Sequence, residues 1–264
     1  MSADKEENTD RQDQVEDMAP LVGRMRDFVA AHEKGAVIFE EPMPREKLRD
    51  GWGFAGRRQG KPEVILSEDV HVELGHPSTA SHAVILVTRD PSLVRHGRVS
   101  VVGPNVDGMA PGSRQPFAQV VVLGLGGDEV PDPFDLENTQ YLMHRLPGYM
   151  VRSVPGRLWV RISREKAAAG LSLHVVGSAL ISAFADDYAQ VEAAEVVFVT
   201  GDRTIVEELA PLAADASILS GRNKKLAMGE DGEYECTDLN CDDCDNLPVC
   251  DNLRDVVVKR RKAD

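Results

Sequence analysis

Residues 118–123 read Ala-Gln-Val-Val-Val-Leu, and residues 83–88 read Ala-Val-Ile-Leu-Val-Thr. Both stretches are almost continuously apolar and rich in β-branched residues, which is typical of strands that are covered on both faces. Turn signals such as Gly103-Pro104-Asn105 separate them from similar stretches. The pattern predicts further short strands at 36–39, 63–66, 99–102, 158–162 and 196–200.

Helical spacing of apolar residues predicts a helix from Ala19 to about His32. A second helix is predicted over about 173–190 and a third after Asp202. The strands at 158–162 and 196–200, with a helix between them, suggest a βαβ-like unit. We therefore predict a mixed α/β (α+β) fold, in which a mixed-sheet domain with flanking helices precedes a small cysteine-rich metal-binding module.

Composition divides the chain into three segments. Residues 1–18 are acidic and polar and are predicted to form a disordered leader. The α/β domain is predicted at 19–228, and a four-cysteine module with a basic tail at 229–264. From Glu230 to Asp251 there are nine acidic and no basic residues, and the charge then reverses in a Lys-Arg-Arg-Lys tail at 259–262.

The overall composition excludes several classes of protein. With 264 residues, of which 42% are apolar, the chain is long enough to bury a substantial core. Its net charge of −14 argues against nucleic-acid binding, which needs a basic face. No window approaches the roughly 18 consecutive apolar residues of a membrane span, and the acidic N-terminus is unlike a secretory leader. We expect a cytoplasmic protein that binds neither nucleic acid nor membrane.

All cysteines of the chain lie within 15 residues of one another, in the pattern Cys-x4-Cys-x2-Cys-x5-Cys. A disulfide framework would scatter cysteines to close loops across the fold, whereas four crowded thiolates suit zinc or an iron–sulfur cluster. A single Cys-x2-Cys pair on one short loop is typical of iron–sulfur sites, but zinc also remains open. The candidate metal ligands are Cys236, Cys241, Cys244 and Cys250.

The acidic residues around these cysteines constrain both alternatives. A 4Fe–4S cluster or a four-thiolate zinc site carries about two negative charges in total, and neighbouring carboxylates lower the reduction potential of a cluster. The same carboxylates form an anionic docking surface for a basic partner. The simplest alternative is a loop stapled by zinc that has no redox chemistry.

Three stretches, in this order, resemble the β subunit of the CO dehydrogenase/acetyl-CoA synthase complex, the acetyl-CoA synthase family. The first resembles that family's Glu-Leu-Gly-x-Pro-x-Thr-Ala-Ser segment and a following Gly-Pro turn. The second resembles its Trp-hydrophobic-Arg-Ile-Ser segment, and the third the start of its cluster-binding segment. They are Glu73–Ser81 with Val101–Met109, Leu158–Ser163 with Gly170–Gly177, and Tyr234–Cys236 with Val249–Arg254.

The resemblance implies a shortened β subunit of one-carbon metabolism that holds a 4Fe–4S cluster and receives coenzyme A near Trp159 and Arg161. Arginine pairs bidentately with phosphate and indole stacks on adenine, and Arg152, Arg157 and Arg164 would extend such a basic pocket. Strand alternation places Trp159 and Arg161 on one face. The alternatives are a core tryptophan and an ordinary surface arginine.

The resemblance is incomplete at the metal site. Leu239 stands where the family's second cluster cysteine is expected, so Cys241 and Cys244 would replace lost ligands on a remodelled loop. The sequence contains no Cys-Gly-Cys, the tripeptide that supplies square-planar nickel in the family. Nickel is therefore doubtful, and with it the CO-methylating acetyl-CoA synthase-type acyl transfer, unless a partner supplies the site.

Two further functions therefore stay open. The chain is alternatively a non-catalytic iron–sulfur electron-transfer or docking subunit, whose partner is CO dehydrogenase or a corrinoid iron–sulfur protein, or a zinc-stapled binding module. The turn Pro77-Ser-Thr-Ala-Ser81, which His76 and His82 flank, offers hydroxyls for a phosphate, but helix N-capping is the favoured interpretation.

Overall fold

A computed structural model of the chain describes residues 18–56, 63–127, 131–154 and 156–220, together with two short strands at 227–228 and 234–235. The chain divides into two units, Met1–Gly221 and Arg222–Asp264. The four cysteines and residues 1–17 of the predicted leader lie outside the described residues. Met18 is described, and it is buried in the core of the first unit.

A five-stranded sheet forms the centre of the first unit. Its first and last pairs of neighbours show that it is mixed, because β1 and β4 are antiparallel whereas β6 and β3 are parallel. This agrees with the predicted mixed sheet. In spatial order its strands are β1 (Ala36–Phe39), β4 (Val99–Val102), β9 (Val191–Thr200), β6 (Phe117–Leu125) and β3 (Ser81–Thr88).

Both faces of this sheet are covered, which explains why its central sequences are continuously apolar. Every residue of β6 is buried. Helices α1 (Ala19–Ala31) and α7 (Ala210–Leu219) pack on one face through residues such as Met25 and Leu212. Helix α5 (Leu173–Asp187) packs on the other face through residues such as Val176 and Phe184.

Helix α5 begins where the sequence predicts, because the hydroxyl of Ser172 accepts a hydrogen bond from the backbone N–H of Val175 and caps the helix. Gly177 lets this helix approach the sheet closely. A Cβ at that position would lie 2.7 Å from a methyl group of Val99, closer than real Cβ contacts.

A second, four-stranded sheet has one apolar face and one polar face. Alternate residues such as Leu74, Val160 and Ile162 are buried in the same core as α5, and the residues between them point to the other face. This outer face carries the candidate site. The strands in spatial order are β5 (Ser113–Gln115), β2 (Val70–Leu74), β8 (Arg157–Ser163) and β7 (Tyr149–Val154).

The remaining elements connect and cover these sheets. In the ranges that the structure describes, no helix combines the length and the apolar composition that crossing a membrane requires. In the second unit the strands β10 and β11 pair antiparallel. These elements are α2 (Arg45–Trp52), α3 (Pro133–Tyr141), α4 (Arg164–Ala168), α6 (Arg203–Glu207), β10 (Ala227–Met228) and β11 (Tyr234–Glu235).

The predicted strand at 63–66 is wrong. This segment instead lies against the outer face of the second sheet, where Ile65 is buried with Val70 and Met150. The backbone groups of Ile65 are engaged by side chains, since its N–H faces the sulfur of Met150 and its carbonyl accepts a hydrogen bond from Arg161. They are therefore not used in a strand ladder.

The predicted βαβ-like unit is also wrong, although its strands and helix all exist. Strand β8 belongs to the second sheet and β9 to the first, so α5 connects two sheets rather than two strands of one sheet. Periodicity identifies elements but not which strands pair, and the short strands β2, β5 and β7 were not predicted.

Candidate functional site

A row of charged side chains crosses three strands on the outer face of the second sheet. In this row Glu73 of β2 lies opposite Arg114 of the parallel strand β5 and opposite Arg161 of the antiparallel strand β8. Arg161 Nε donates to Glu73 Oε1 over 2.8 Å, and Arg114 Nε donates to Oε2 over 2.9 Å. Each carboxylate oxygen therefore holds one guanidinium group.

Glu73 is buried, with only 6% of its surface exposed. Burial acts to raise the pKa of its carboxyl, but the hydrogen bonds from Arg161 and Arg114 outweigh it and hold the pKa below the ordinary value. Because the carboxyl stays ionised, it serves as a fixed anchor for both arginines.

Arg161 is held at a second point as well. Its Nη1 donates to the backbone carbonyl of Ile65 over 3.1 Å. Its side chain is 17% exposed, compared with 56% for Arg114. The guanidinium of Arg161 is therefore fixed in orientation, and its remaining N–H groups are available to a ligand.

Trp159 is the aromatic residue of this face. Arg152 of β7 lies opposite it in register, and the guanidinium carbon of Arg152 is 5.2 Å from the centre of the indole ring. The guanidinium carbon of Arg161 is 5.1 Å from the same centre, within the range of cation–π attraction. The indole Nε1 is buried and has no hydrogen-bond partner among the described residues. The indole ring thus contacts two guanidinium groups.

His76 completes the aromatic part of the face. Its ring meets Trp159 edge to face, with centroids 5.3 Å apart. Its Nδ1 accepts the backbone N–H of Ser78 over 3.1 Å, so in the neutral ring the proton is on Nε2, which lies 3.8 Å from Glu73 Oε2.

The turn that follows His76 is not a helix N-cap, so the favoured interpretation of this segment is wrong. The chain turns at residues 77–79 and then enters β3. Ser81 is buried, and its hydroxyl donates to the carbonyl of Leu158 over 2.7 Å and accepts the N–H of the same residue. Ser81 therefore joins β3 to β8.

A cleft of about 430 Å³ opens beside the charged row. It brings three guanidinium groups and one carboxylate together, so its lining is net positive. Arg164 enters it from the start of α4, where its Nε donates to the backbone carbonyl of Val70 over 3.2 Å. The lining residues are Ser67, Val70, Glu73, Gly112, Arg114, Arg161 and Arg164.

Comparison with known proteins identifies the family of the chain that carries this face. A sequence profile described as the CO dehydrogenase/acetyl-CoA synthase complex beta subunit matches residues 57–205, more than half of the chain. The chain belongs to this family. The matched range contains the charged row, Trp159 and both sheets' central strands.

Curated relatives carry the corresponding name. The chain is 28% identical over 151 residues to the acetyl-CoA decarbonylase/synthase complex subunit beta of Methanopyrus kandleri, across 56% of this chain and 32% of that protein. The same subunit of Methanothermobacter thermautotrophicus is 27% identical over 190 residues, 71% of this chain and 40% of that protein. The chain therefore spans less than half the length of these curated relatives.

Of the site residues that the sequence predicted in this family member, Arg152, Trp159 and Arg161 lie together and Arg164 lines the adjacent cleft. Arg157 is placed differently. It lines a separate cleft of about 540 Å³ with His82 and Arg203 among others.

Two residues of the site were missed by sequence reasoning. Glu73 was quoted only as part of a motif, and no role was given to Arg114. A signal existed for Glu73, because an acidic residue flanked by Val72 and Leu74 in a mostly apolar strand needs a partner when it is buried. Arg114 gave no comparable signal, because β5 is only three residues long.

The four predicted metal ligands of this family member, Cys236, Cys241, Cys244 and Cys250, all lie outside the described residues. In the part of the chain that the structure describes, no three His, Cys, Asp or Glu residues are grouped to hold a metal ion.

Proposed function

We propose that this chain is a coenzyme A-binding, iron–sulfur member of the acetyl-CoA decarbonylase/synthase β family, and that coenzyme A binds on the outer face of the second sheet. The observation that carries the proposal is the indole of Trp159 flanked by the guanidinium groups of Arg152 and Arg161. The names of the relatives supply the substrate class, because their complexes act on acetyl-CoA.

Coenzyme A presents a flat adenine ring and several phosphate groups, and this face offers a partner for each. An indole offers a large apolar ring face for stacking, and a guanidinium binds two phosphate oxygens at once. Arg114, Arg161 and Arg164 line one cleft on a chain whose net charge is −14. The cleft is thus a local positive field that concentrates an anionic ligand on an acidic protein.

The two arginines at Trp159 have different roles in this proposal. Arg161 is anchored by Glu73 and by the carbonyl of Ile65, so it presents a preorganised guanidinium. Arg152 is exposed, and the contact with the indole is its only described interaction. It is therefore the residue that leaves the ring to pair with a phosphate while adenine takes its place.

The cluster is proposed from the donor set. Four thiolates from Cys236, Cys241, Cys244 and Cys250 match the ligands that a 4Fe–4S cluster requires, and such a cluster supplies one-electron transfer. The surrounding carboxylates favour docking of a basic partner, for which we propose another subunit of such a complex, a CO dehydrogenase or a corrinoid iron–sulfur protein. No nickel site is proposed on this chain.

Binding of coenzyme A to the purified full chain, measured by titration calorimetry beside dephospho-coenzyme A and pantetheine, tests the first part. We expect coenzyme A to bind most tightly and pantetheine, which has no adenine or phosphate, to show no measurable binding. Equal affinity for all three would remove the adenine–phosphate assignment.

Anaerobic purification with iron, sulfide and zinc analysis tests the cluster. Iron and sulfide in equal amounts, with absorption at about 400 nm, support the cluster. Stoichiometric zinc without sulfide instead establishes the stapled-loop alternative, whereas a cluster in a protein that does not bind coenzyme A favours the electron-transfer alternative.

A further inference from the structure

A second cleft, of about 200 Å³, lies on the opposite face of the five-stranded sheet from the second sheet. Helix α1 forms one wall with Met25 and Val29, and strands β1, β4 and β9 form its floor. Its polar lining includes Arg26, Arg95 and Arg98. It therefore shares no residue with the site around Trp159.

One arginine of this cleft has a buried donor atom without a hydrogen-bond acceptor. The side chains of Arg95 and Arg98 make no hydrogen bond or ion pair within the described residues, and Arg98 Nε is buried without a partner. Arg26 is held by the carbonyl of Leu93, to which its Nη2 donates over 2.5 Å. Buried donors are almost always paired in folded proteins, so Arg98 Nε lacks an acceptor, whereas Arg95 and Arg26 are exposed and their guanidinium groups are open to solvent.

The carboxyl of Glu195, which lines the same cleft, does not supply that acceptor. Glu195 of β9 lies among the three arginines, yet it forms no ion pair within 4.0 Å with any of them in the described part of the chain. Burial raises the pKa of Glu195, although its carboxyl accepts a hydrogen bond from the backbone N–H of Arg95 and the charges of Arg98, Arg26 and Arg95 also act to lower it. The guanidinium groups thus face a space that the protein itself leaves open.

We propose that this cleft binds a small organic oxyanion, a carboxylate or phosphate monoester with a body of only a few carbon atoms. The guanidinium groups of Arg95 and Arg98 take the oxyanion, because arginine binds such groups bidentately. Met25 and Val29 take the apolar body. The volume excludes a nucleotide, because sites for drug-sized ligands begin at about 300 Å³.

The experiment titrates the full chain with butyrate and separately with inorganic phosphate, and follows the methyl groups of Val29 and Ile38 by nuclear magnetic resonance. We expect saturable shifts with dissociation constants of about millimolar or below. Shifts with butyrate assign the site to carboxylates, and shifts with phosphate alone assign it to phosphate monoesters. No saturable shift with either overturns the proposal.

Variants locate the binding. Arg98→Gln is expected to weaken the better ligand roughly tenfold, and Arg95→Ala serves if the first variant does not fold. Arg24→Gln is the matched control, because Arg24 lies on α1, which forms one wall of the cleft, but pairs with Asp215 at the surface and does not line the cleft. If every folded variant of Arg98 or Arg95 binds the ligand as tightly as the control does, the proposal fails.

The pH dependence provides a further readout. The charged groups of the cleft are Arg26 of α1, Glu33 just after α1, Arg95 and Arg98 before β4, and Glu195 of β9. When the pH rises through the raised pKa of Glu195, a negative charge forms beside the bound anion, so affinity is expected to fall. Glu195→Gln should remove this fall. An unchanged pH profile in that variant would exclude an anion beside Glu195.

Discussion

Glu73 and Arg161 lie directly opposite each other on the antiparallel strands β2 and β8, and Arg161 Nε donates to Glu73 Oε1 over 2.8 Å. The two residues are 88 positions apart in the sequence. The same carboxylate holds Arg114 from the other side. One buried acidic residue thereby sets the orientation of two guanidinium groups on the proposed coenzyme A face.

Glu73→Gln should therefore weaken coenzyme A binding without touching the ligand itself. The amide is nearly the same shape but carries no charge and only one acceptor oxygen, so both arginines lose the ion pair and one of them loses its hydrogen bond. We expect an affinity loss of roughly tenfold and a destabilisation of about 1–3 kcal/mol. Calorimetry and urea unfolding measure the two effects. Glu207→Gln, which removes a surface pair with Arg203, is the control and should change neither.

Acid stability should depend on the same carboxyl. The pKa of Glu73 is lower in the folded protein than its ordinary value of 4.5, so its contribution to the free energy of unfolding is fully present above that value. It is lost as the pH falls below 4.5 and through the folded pKa. Urea unfolding between about pH 6 and pH 3 should show a smaller decline for Glu73→Gln than for the native chain. Parallel declines would contradict this assignment.

Trp159→Ala should lower the affinity for coenzyme A by roughly tenfold to a hundredfold, because stacking on an aromatic ring contributes about 1–3 kcal/mol per base. Trp159→Phe should retain part of it. The chain has two tryptophans, so in a Trp52→Phe background the fluorescence reports Trp159 alone. Coenzyme A should quench that signal, whereas pantetheine should not. Quenching by both would place the adenine elsewhere.

Arg152→Ala should weaken coenzyme A binding by about tenfold, because an arginine lost from a charged hydrogen bond costs about this much. Arg157→Ala should have a smaller effect, because Arg157 lines the cleft at His82 and not the cleft that Arg161 lines. Calorimetry on both variants gives the comparison. A larger loss of affinity for Arg157→Ala would indicate that the phosphates bind in the cleft at His82.

Gly75→Ala should disrupt the turn that carries His76. Gly75 has a φ of +63°, and a Cβ there would lie 2.1 Å from the carbonyl oxygen of Leu158. Gly112 has a φ of +75° with no atom within 4 Å of such a Cβ, so Gly112→Ala carries only the backbone strain, about 1–2 kcal/mol. We expect Gly75→Ala to lower the free energy of unfolding by about 1–3 kcal/mol more than Gly112→Ala does, as measured by urea unfolding. Equal costs would mean that the turn relaxes away from Leu158.

Much of the fold was predictable because local rules specify its elements. The strands 36–39 and 99–102 have their predicted bounds, since short β-branched runs between turn signals have few other solutions. Helix α5 begins at its predicted residue because Ser172 caps it. The prediction of a strand at 63–66 was wrong because a β-like composition does not guarantee a partner strand.

Part of the candidate site was predictable for a similar reason. Alternation along β8 places Trp159 and Arg161 on one face whatever the rest of the fold does. That Glu73 and Arg114 meet them was not predictable, because β2 reaches β8 and β5 reaches β2 through pairings between distant parts of the chain, whereas β7 joins β8 as an adjacent hairpin. Arg114, for which no role was predicted, reaches the site only through such a pairing, whereas Arg152 was among the predicted site residues.

The sequence by itself determined the apolar strands, the capped helices, the crowded cysteines and the family motifs, because each depends on neighbouring residues. Only the tertiary structure decided that β8 and β9 lie in different sheets, that Glu73 holds two arginines, and that Arg95 and Arg98 face an open cleft beside Glu195. Those features depend on strand order and register, which are set by burial of a shared core and not by any one segment.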